Sequence, residues 1–257
     1  MRLIVGLGNP GKEHERSRHN AGFWLVERFA AQAGVVLRKD PKFQALVGRH
    51  EPNGAWLVLP QSYMNSSGRP VQMLAGFFRI PASEILVAHD ELDFPPGTAR
   101  IKQGGGIAGH NGLKDISQRL GTHEYWRLRI GIGHPGDKDA VTDYVLRRPS
   151  AEDRTAIDAS IAKALEVLPL CLAGDLQGAM QKLHTQTGPE QAPKAEAQEP
   201  APEPGEQRRT KEPAPKPQPK EPAPRAEKPT AQEPAKAQPG GTLRSLLGSL
   251  LHPTRKK

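Results

Sequence analysis

The chain has 257 residues, with 36 Lys and Arg against 28 Asp and Glu, for a formal net charge of +8; that is enough for one or two domains, and basic enough to suit a polyanionic partner. Its single cysteine, Cys171, excludes a disulfide framework and points to a reducing compartment. No apolar run approaches the roughly 18 residues of a membrane span, and the N-terminus has the pattern of a strand rather than a signal peptide, so a cytoplasmic location is expected.

Strands are predicted over residues 2–8, 43–50, 55–60, 85–89 and 126–132. Helices are predicted over 20–33, 68–79, 111–120, 138–147 and 152–184, the last broken at Pro169. LIVGL, WLVLP and ILVAH are near-continuous apolar runs, as expected of strands buried on both faces. The fold class is therefore α/β: residues 1–185 form a single three-layer domain with a mixed, mostly parallel central sheet. Asn9 and Asp90 follow two of these strands, and Asn65 follows a third after a loop. Ligand crevices in such sheets form at strand carboxyl ends.

Gly6, Gly8 and Gly11 satisfy the spelling of a dinucleotide-binding fingerprint. In that fold the glycines open a helix directly, placing a pyrophosphate on its N-terminus. Here Pro10 lies inside the glycine set, and KEHERSRH follows without an apolar face. The helical spacing begins only near Asn20, with Ala21, Trp24, Leu25 and Phe29, and stops at Gly34. A loop of about ten residues thus presents Asn9, His14 and His19, which favours a catalytic loop over a phosphate cradle. A dinucleotide-dependent enzyme, with Asp40 as a ribose ligand, explains little beyond the glycines.

His19 is the natural general base, because an imidazole pKa of about 6.5 leaves much of it neutral at physiological pH. It needs a carboxylate to fix its tautomer, and HDELD offers Asp90, Glu91 and Asp93; spacing does not choose among them. There is no G-x-S-x-G elbow, and Cys171 sits in the apolar run VLPLCLAG without charged neighbours, so water is the expected nucleophile. Ser62, Ser66 and Ser67 read as turn and cap residues. The nine histidines form no H-E-x-x-H motif, so neither metal nor cofactor is expected.

GLGNPG, RHNAGF, MNSSG, HDELDFPPG, GHNGLKDI and RLRIGIGHPG occur in this order, and together they resemble bacterial peptidyl-tRNA hydrolase over residues 1 to about 185. The resemblance implies a hydrolase that cleaves the ester between peptide and tRNA in peptidyl-tRNAs released early from the ribosome. Carried over by position, His19 is its general base and Asp90 the orienting acid. Asn9 would read the substrate amide beside the ester, separating peptidyl-tRNA from free aminoacyl-tRNA. Asn65 and Asn111 would hold the tRNA acceptor end or the water. An asparagine offers two donors and an acceptor without charge, and one preorganised donor at an oxyanion supplies about 3 kcal/mol.

Each asparagine also has a structural reading, Asn9 as turn chemistry before Pro10-Gly11 and Asn111 as a helix N-cap. His110 reads equally as a site residue or an exposed bystander. His14 stands where the family usually carries tyrosine, and Tyr63 is the other aromatic candidate for the tRNA end. Ile107-Ala108 also departs from the family's pattern, which has smaller or more polar residues in this glycine-rich loop.

Residues 96–150 hold nine Lys and Arg against five acids. Lys102, Lys114, Arg127 and Arg129 are the candidate tRNA phosphate contacts; Arg127 and Arg129 alternate on one strand and so share a face. Such charge alone also fits a non-catalytic tRNA-binding protein, which would leave His19 without a purpose. The protein is expected to act as a monomer.

From residue 186 the composition changes. Residues 186–239 hold 14 of the 26 prolines with nine basic and nine acidic residues, the pattern of a disordered, extended linker. Residues 240–257 place Leu243, Leu246, Leu247, Leu250 and Leu251 at helical spacing beside Arg244, Arg255, Lys256 and Lys257. That predicts a short basic amphipathic helix needing a docking surface, on an unknown protein or a membrane.

Overall fold

In a computed structural model of the chain, the residues described are 1–186; the linker and amphipathic helix predicted beyond them lie outside the described residues. Seven strands form one mixed sheet: β1 Leu3–Gly6, β2 Arg38–Asp40, β3 Ala45–His50, β4 Ala55–Pro60, β5 Ile85–Glu91, β6 Ala99–Gln103 and β7 Trp126–Gly131, in the order β2-β3-β4-β1-β5-β7-β6. The four central strands β4, β1, β5 and β7 run parallel. The outer strands pair antiparallel.

Among the described residues six α-helices accompany the sheet: α1 Ala21–Gln32, α2 Gly68–Phe77, α3 Asn111–Leu120, α4 Val141–Leu146, α5 Ala151–Ala173 and α6 Leu176–Gln186. On one face Trp24, Leu25 and Phe29 of α1 pack with Ile161, Leu165 and Leu168 of α5 and Leu183 of α6. On the other, Val71 and Leu74 of α2 pack with Leu113 and Ile116 of α3. The result is the three-layer mixed α/β architecture expected from the alternating pattern. Among the described residues no helix is long and apolar enough to cross a membrane.

Three local expectations are corrected. The long C-terminal helix runs through Pro169 and stops at Gly174, whose φ is +92°. Proline costs a helix one hydrogen bond, but Leu165, Val167, Leu168, Cys171 and Leu172 bury the surrounding turns and outweigh that loss. Strands β2 (RKD) and β6 (ARIKQ) escape a hydropathy reading because they are charged outer strands. β6 is covered by α6, where His184 Nε2 accepts a hydrogen bond from the Ile101 amide at 3.1 Å. The fourth helix is shorter than predicted.

The N-terminal glycines serve close packing of β1 on α1. A Cβ on Gly6 would lie 2.5 Å from the Gly22 carbonyl oxygen, and one on Gly22 would lie 2.3 Å from the Ala88 carbonyl oxygen. α1 therefore presses directly on β1 and β5, and its first turn is delivered to their carboxyl ends. Because β1 has parallel neighbours on both sides, the loops after β4, β1 and β5 converge on one edge of the sheet, where a crevice is expected.

Candidate active site

β5 is buried along its whole length although it ends in His89, Asp90 and Glu91. A buried carboxylate must be paired, and Asp90, 4% exposed, meets two imidazoles. His19 Nδ1 lies 3.0 and 2.9 Å from the two Asp90 oxygens, and His110 Nε2 lies 3.1 Å from Oδ1.

The tautomers follow from the remaining partners. His110 is the N-cap of α3, and its Nδ1 accepts from the amides of Gly112 and Leu113 at 3.1 and 3.3 Å. Its proton therefore sits on Nε2 and is donated to Asp90. His19 likewise donates from Nδ1, leaving Nε2 with a lone pair and no hydrogen-bond partner among the described residues. Burial alone would lower the His19 pKa, but the charge of Asp90 and its hydrogen bond outweigh burial and raise it. Burial would raise the Asp90 pKa; the two histidines outweigh that and hold the carboxyl well below the usual carboxylate range. Asp90 is thus ionised and His19 is a strengthened base.

The alternative, structural reading of Asn111 as the cap of α3 does not hold: His110 is the cap, and Asn111 is the exposed first residue of the helix. A histidine cap is not among the usual choices, and it ties the helix start to Asp90. His89, beside Asp90, is fully buried. Its Nδ1 donates to the Asp90 carbonyl oxygen at 2.7 Å, its Nε2 has no partner, and burial together with His110 pushes its pKa well below the ordinary value.

Asn9 lies in the loop after β1, 6% exposed. Its Oδ1 accepts from the Met64 amide at 2.7 Å. An amide N–H can only donate, so the Asn9 side chain is oriented with Oδ1 inward, and its NH2 makes no hydrogen bond among the described residues. Asn20, to which sequence reasoning assigned no role, braces this loop: its Oδ1 accepts from the Asn9 amide and its Nδ2 donates to the Asn9 carbonyl oxygen, both at 2.9 Å. The signal was present in RHNAG, where Asn20 adjoins the candidate base.

His14 and Tyr63 meet edge to face with ring centroids 6.5 Å apart, and Tyr63 is 66% exposed. Asn65 is exposed in the 3-10 turn Met64–Ser66. On the β6–β7 side Lys102 and Lys114 are exposed. Arg127 and Arg129 share a face, yet Arg127 is 3% exposed beneath the glycine loop, where it donates to the Gly106 carbonyl oxygen. Arg129 donates to Glu91 Oε2 at 2.8 Å.

His19, Asp90 and His110 bring ligand atoms within 4.8 Å of one another, a spacing that suits a metal ion. The hydrogen bonds assign these atoms otherwise. The His110 Nε2 proton is fixed by the two amides on Nδ1, so a metal there would have to displace it. Burial raises the Cys171 thiol to about 11, far from thiolate chemistry.

The family model of peptidyl-tRNA hydrolase matches residues 3–192. The chain belongs to the peptidyl-tRNA hydrolase family. It is similar to the peptidyl-tRNA hydrolase of Nitrosospira multiformis, 56% identical over 188 residues that make up 72% of this chain and 98% of the relative. It is also similar to that of Thiobacillus denitrificans, 54% identical over 184 residues, 72% of this chain and 90% of the relative. The crystal structure of peptidyl-tRNA hydrolase from Acinetobacter baumannii matches with a TM-score of 0.69 at 45% identity, covering 71% of this chain and 94% of that one. The family resemblance carried by the six motifs is thereby shown, and a dinucleotide-dependent enzyme is set aside.

Proposed function

We propose that the reaction of this family, hydrolysis of peptidyl-tRNA, is carried out here by His19 acting as general base on a water molecule, with Asp90 as its orienting acid. The observation that carries the reading is the buried Asp90 carboxylate accepting from His19 Nδ1 and His110 Nε2, which leaves His19 Nε2 as the open base. Nε2 takes a proton from water as the oxygen attacks the ester carbonyl. Asp90 stabilises the imidazolium that forms. When the tetrahedral intermediate collapses, the same Nε2–H protonates the departing ribose oxygen, yielding a tRNA with a free terminal hydroxyl and a peptide carboxylic acid, which ionises by releasing its proton to solvent.

Substrate choice follows from Asn9. Its Oδ1 is occupied, so it offers an N–H donor. That donor suits the carbonyl oxygen of the amide next to the ester. Free aminoacyl-tRNA has an ammonium in that place and lacks the acceptor, and a site built for a hydrogen bond rejects a ligand that cannot complete it. Asn65, Asn111, His14 and Tyr63 line the approach for the acceptor end. Lys102 and Lys114 are the exposed phosphate contacts, while Arg129 and Arg127 reach phosphate only by releasing Glu91 and the Gly106 loop. The catalytic unit is residues 1–185, acting as a monomer in the cytoplasm.

The test is release of N-acetyl-amino acid from N-acetyl-aminoacyl-tRNA, with unblocked aminoacyl-tRNA as control. Wild type should cleave only the blocked substrate. His19→Ala should lose about a thousandfold in turnover, within the range for general-base removal, while tRNA binding stays within about twofold. Turnover by His19→Ala near the wild-type rate would remove the base from His19.

A further inference from the structure

His19 sits in a single 3-10 turn, Arg18–Asn20, that makes no side-chain cap of its own, so what holds the turn sets the direction of the base. One side is held by Asn20 against the Asn9 loop. The other is held by Arg18, whose side chain is 9% exposed. Its Nη1 donates to the carbonyl oxygen of Arg148 at 2.9 Å, with Tyr144 and Arg147 carbonyls at 3.4 and 3.5 Å. Its Nη2 donates to Asp153 Oδ2 at 3.1 Å, and the guanidinium lies 4.1 Å from the Tyr144 ring centroid. The Arg18 amide also donates to the Arg147 carbonyl oxygen at 3.1 Å.

These acceptors have a common origin. Tyr144 is in the last turn of α4, and Arg147 and Arg148 follow its end at Leu146 on the way to α5, so their carbonyls gather where a helix carboxyl end favours a cation. Asp153 is in the first turn of α5, capped by Ser150. The planar guanidinium fork reaches both sets at once, which a lysine ammonium cannot do. Tyr144 is itself fixed, since its hydroxyl donates to the Ile132 carbonyl oxygen at 2.7 Å just beyond β7.

We propose that Arg18 is a positioning residue for the hydrolysis: by locking the His19 turn onto the α4–α5 junction it holds the His19 imidazole against Asp90, without touching substrate. This rests on His19 being the general base. The groups facing the His19 ring are Asp90 and His110, whose ring centroid is 5.1 Å away. Loss of the Arg18 anchor loosens the His19 contact with Asp90 and leaves tRNA binding alone.

The test compares Arg18→Met, Arg18→Lys and Asp153→Asn with wild type on N-acetyl-aminoacyl-tRNA, with thermal unfolding measured on each. Arg18→Met should lose about tenfold to a hundredfold in kcat, the scale of an ångström-level misplacement of a catalytic group, with KM within about twofold. Its acid limb of kcat/KM should move to lower pH as the imidazole loses Asp90. Arg18→Lys should recover part of the rate. Asp153→Asn, which removes one arm of the clamp, should shift kcat and the acid limb in the same direction by a smaller amount. If Arg18→Met fails to fold, the other two variants decide. Wild-type kcat and acid limb in both Arg18→Lys and Asp153→Asn would overturn the proposal whatever their unfolding temperatures. Failure of the general-base reading itself would show separately, as an active His19→Ala enzyme.

Discussion

Asp90 on β5 and Arg127 on the adjacent β7 are both buried charges of the sheet, 4% and 3% exposed, and the protein treats them differently. Asp90 receives hydrogen bonds from two histidines and is pulled far below its ordinary pKa. Arg127 donates to the Gly106 carbonyl oxygen, but its Nε and Nη2 are buried without a partner, and burial lowers its pKa. A carboxylate satisfied by the protein itself is a preorganised part. A guanidinium with donors left over is costly where it stands and is suited to a further acceptor. The contrast is between a carboxylate whose acceptors are filled and a guanidinium whose donors are not.

The widest effect on that contrast comes from His110, which serves Asp90 and the α3 cap together. His110→Asn keeps a side chain suited to capping but withdraws the Nε2 donor. Its kcat should fall about tenfold with thermal stability near wild type, the size expected for one charge-assisted hydrogen bond. His110→Ala should lose the same rate and about 1 kcal/mol of stability besides. Steady-state kinetics and denaturant unfolding on the pair measure both; a full rate for His110→Asn would mean Asp90 needs only His19.

A smaller effect is expected at Arg127. Arg127→Met removes the unpartnered donors, so unfolding should occur at the wild-type temperature or above it. If Arg127 serves tRNA, affinity should fall several-fold and the salt slope of log K should flatten by about one phosphate's share, roughly 0.7 to 0.9. Lys102→Glu should weaken binding in the same way. Binding titrations over a salt series test this, and an unchanged slope for both variants would return the β6–β7 cations to a purely structural role.

The smallest effect concerns the loop between them. Ala108 is held at φ +44°, where a Cβ is strained. Ala108→Gly should stabilise the folded protein by about 1 kcal/mol or less by relieving that strain, with turnover unchanged, as denaturant unfolding would show.

Much of this was legible in the sequence because it was local or periodic. ILVAH followed by Asp90 announced a buried strand with a polar tip, and the delayed start of α1 separated Gly6 and Gly8 from a phosphate loop. His19 was legible by its chemistry. Its pairing with Asp90 needed the family resemblance, since Glu91 and Asp93 are equally near in sequence and only the backbone path turns Asp90 toward His19. What escaped was long-range. Asn20, Arg18 and the His110 cap act through carbonyls and amides, which no side-chain pattern encodes. β6 was hidden because only Ala99 and Ile101 of its five residues are apolar, and α5 passes Pro169 because tertiary burial outweighs local propensity.

The central claim is that Asp90 makes His19 a stronger base by holding its Nδ1–H, and the pH dependence of kcat/KM for wild type and Asp90→Asn tests it most directly. The His19 pKa is raised by Asp90, so neutral base accumulates, and activity rises, through a pH above the ordinary imidazole value of about 6.5. Without the carboxylate the imidazolium loses its partner. The acid limb of Asp90→Asn should therefore move to lower pH while the plateau falls about a hundredfold or more. An unmoved limb with a wild-type plateau would contradict the account and place the base elsewhere.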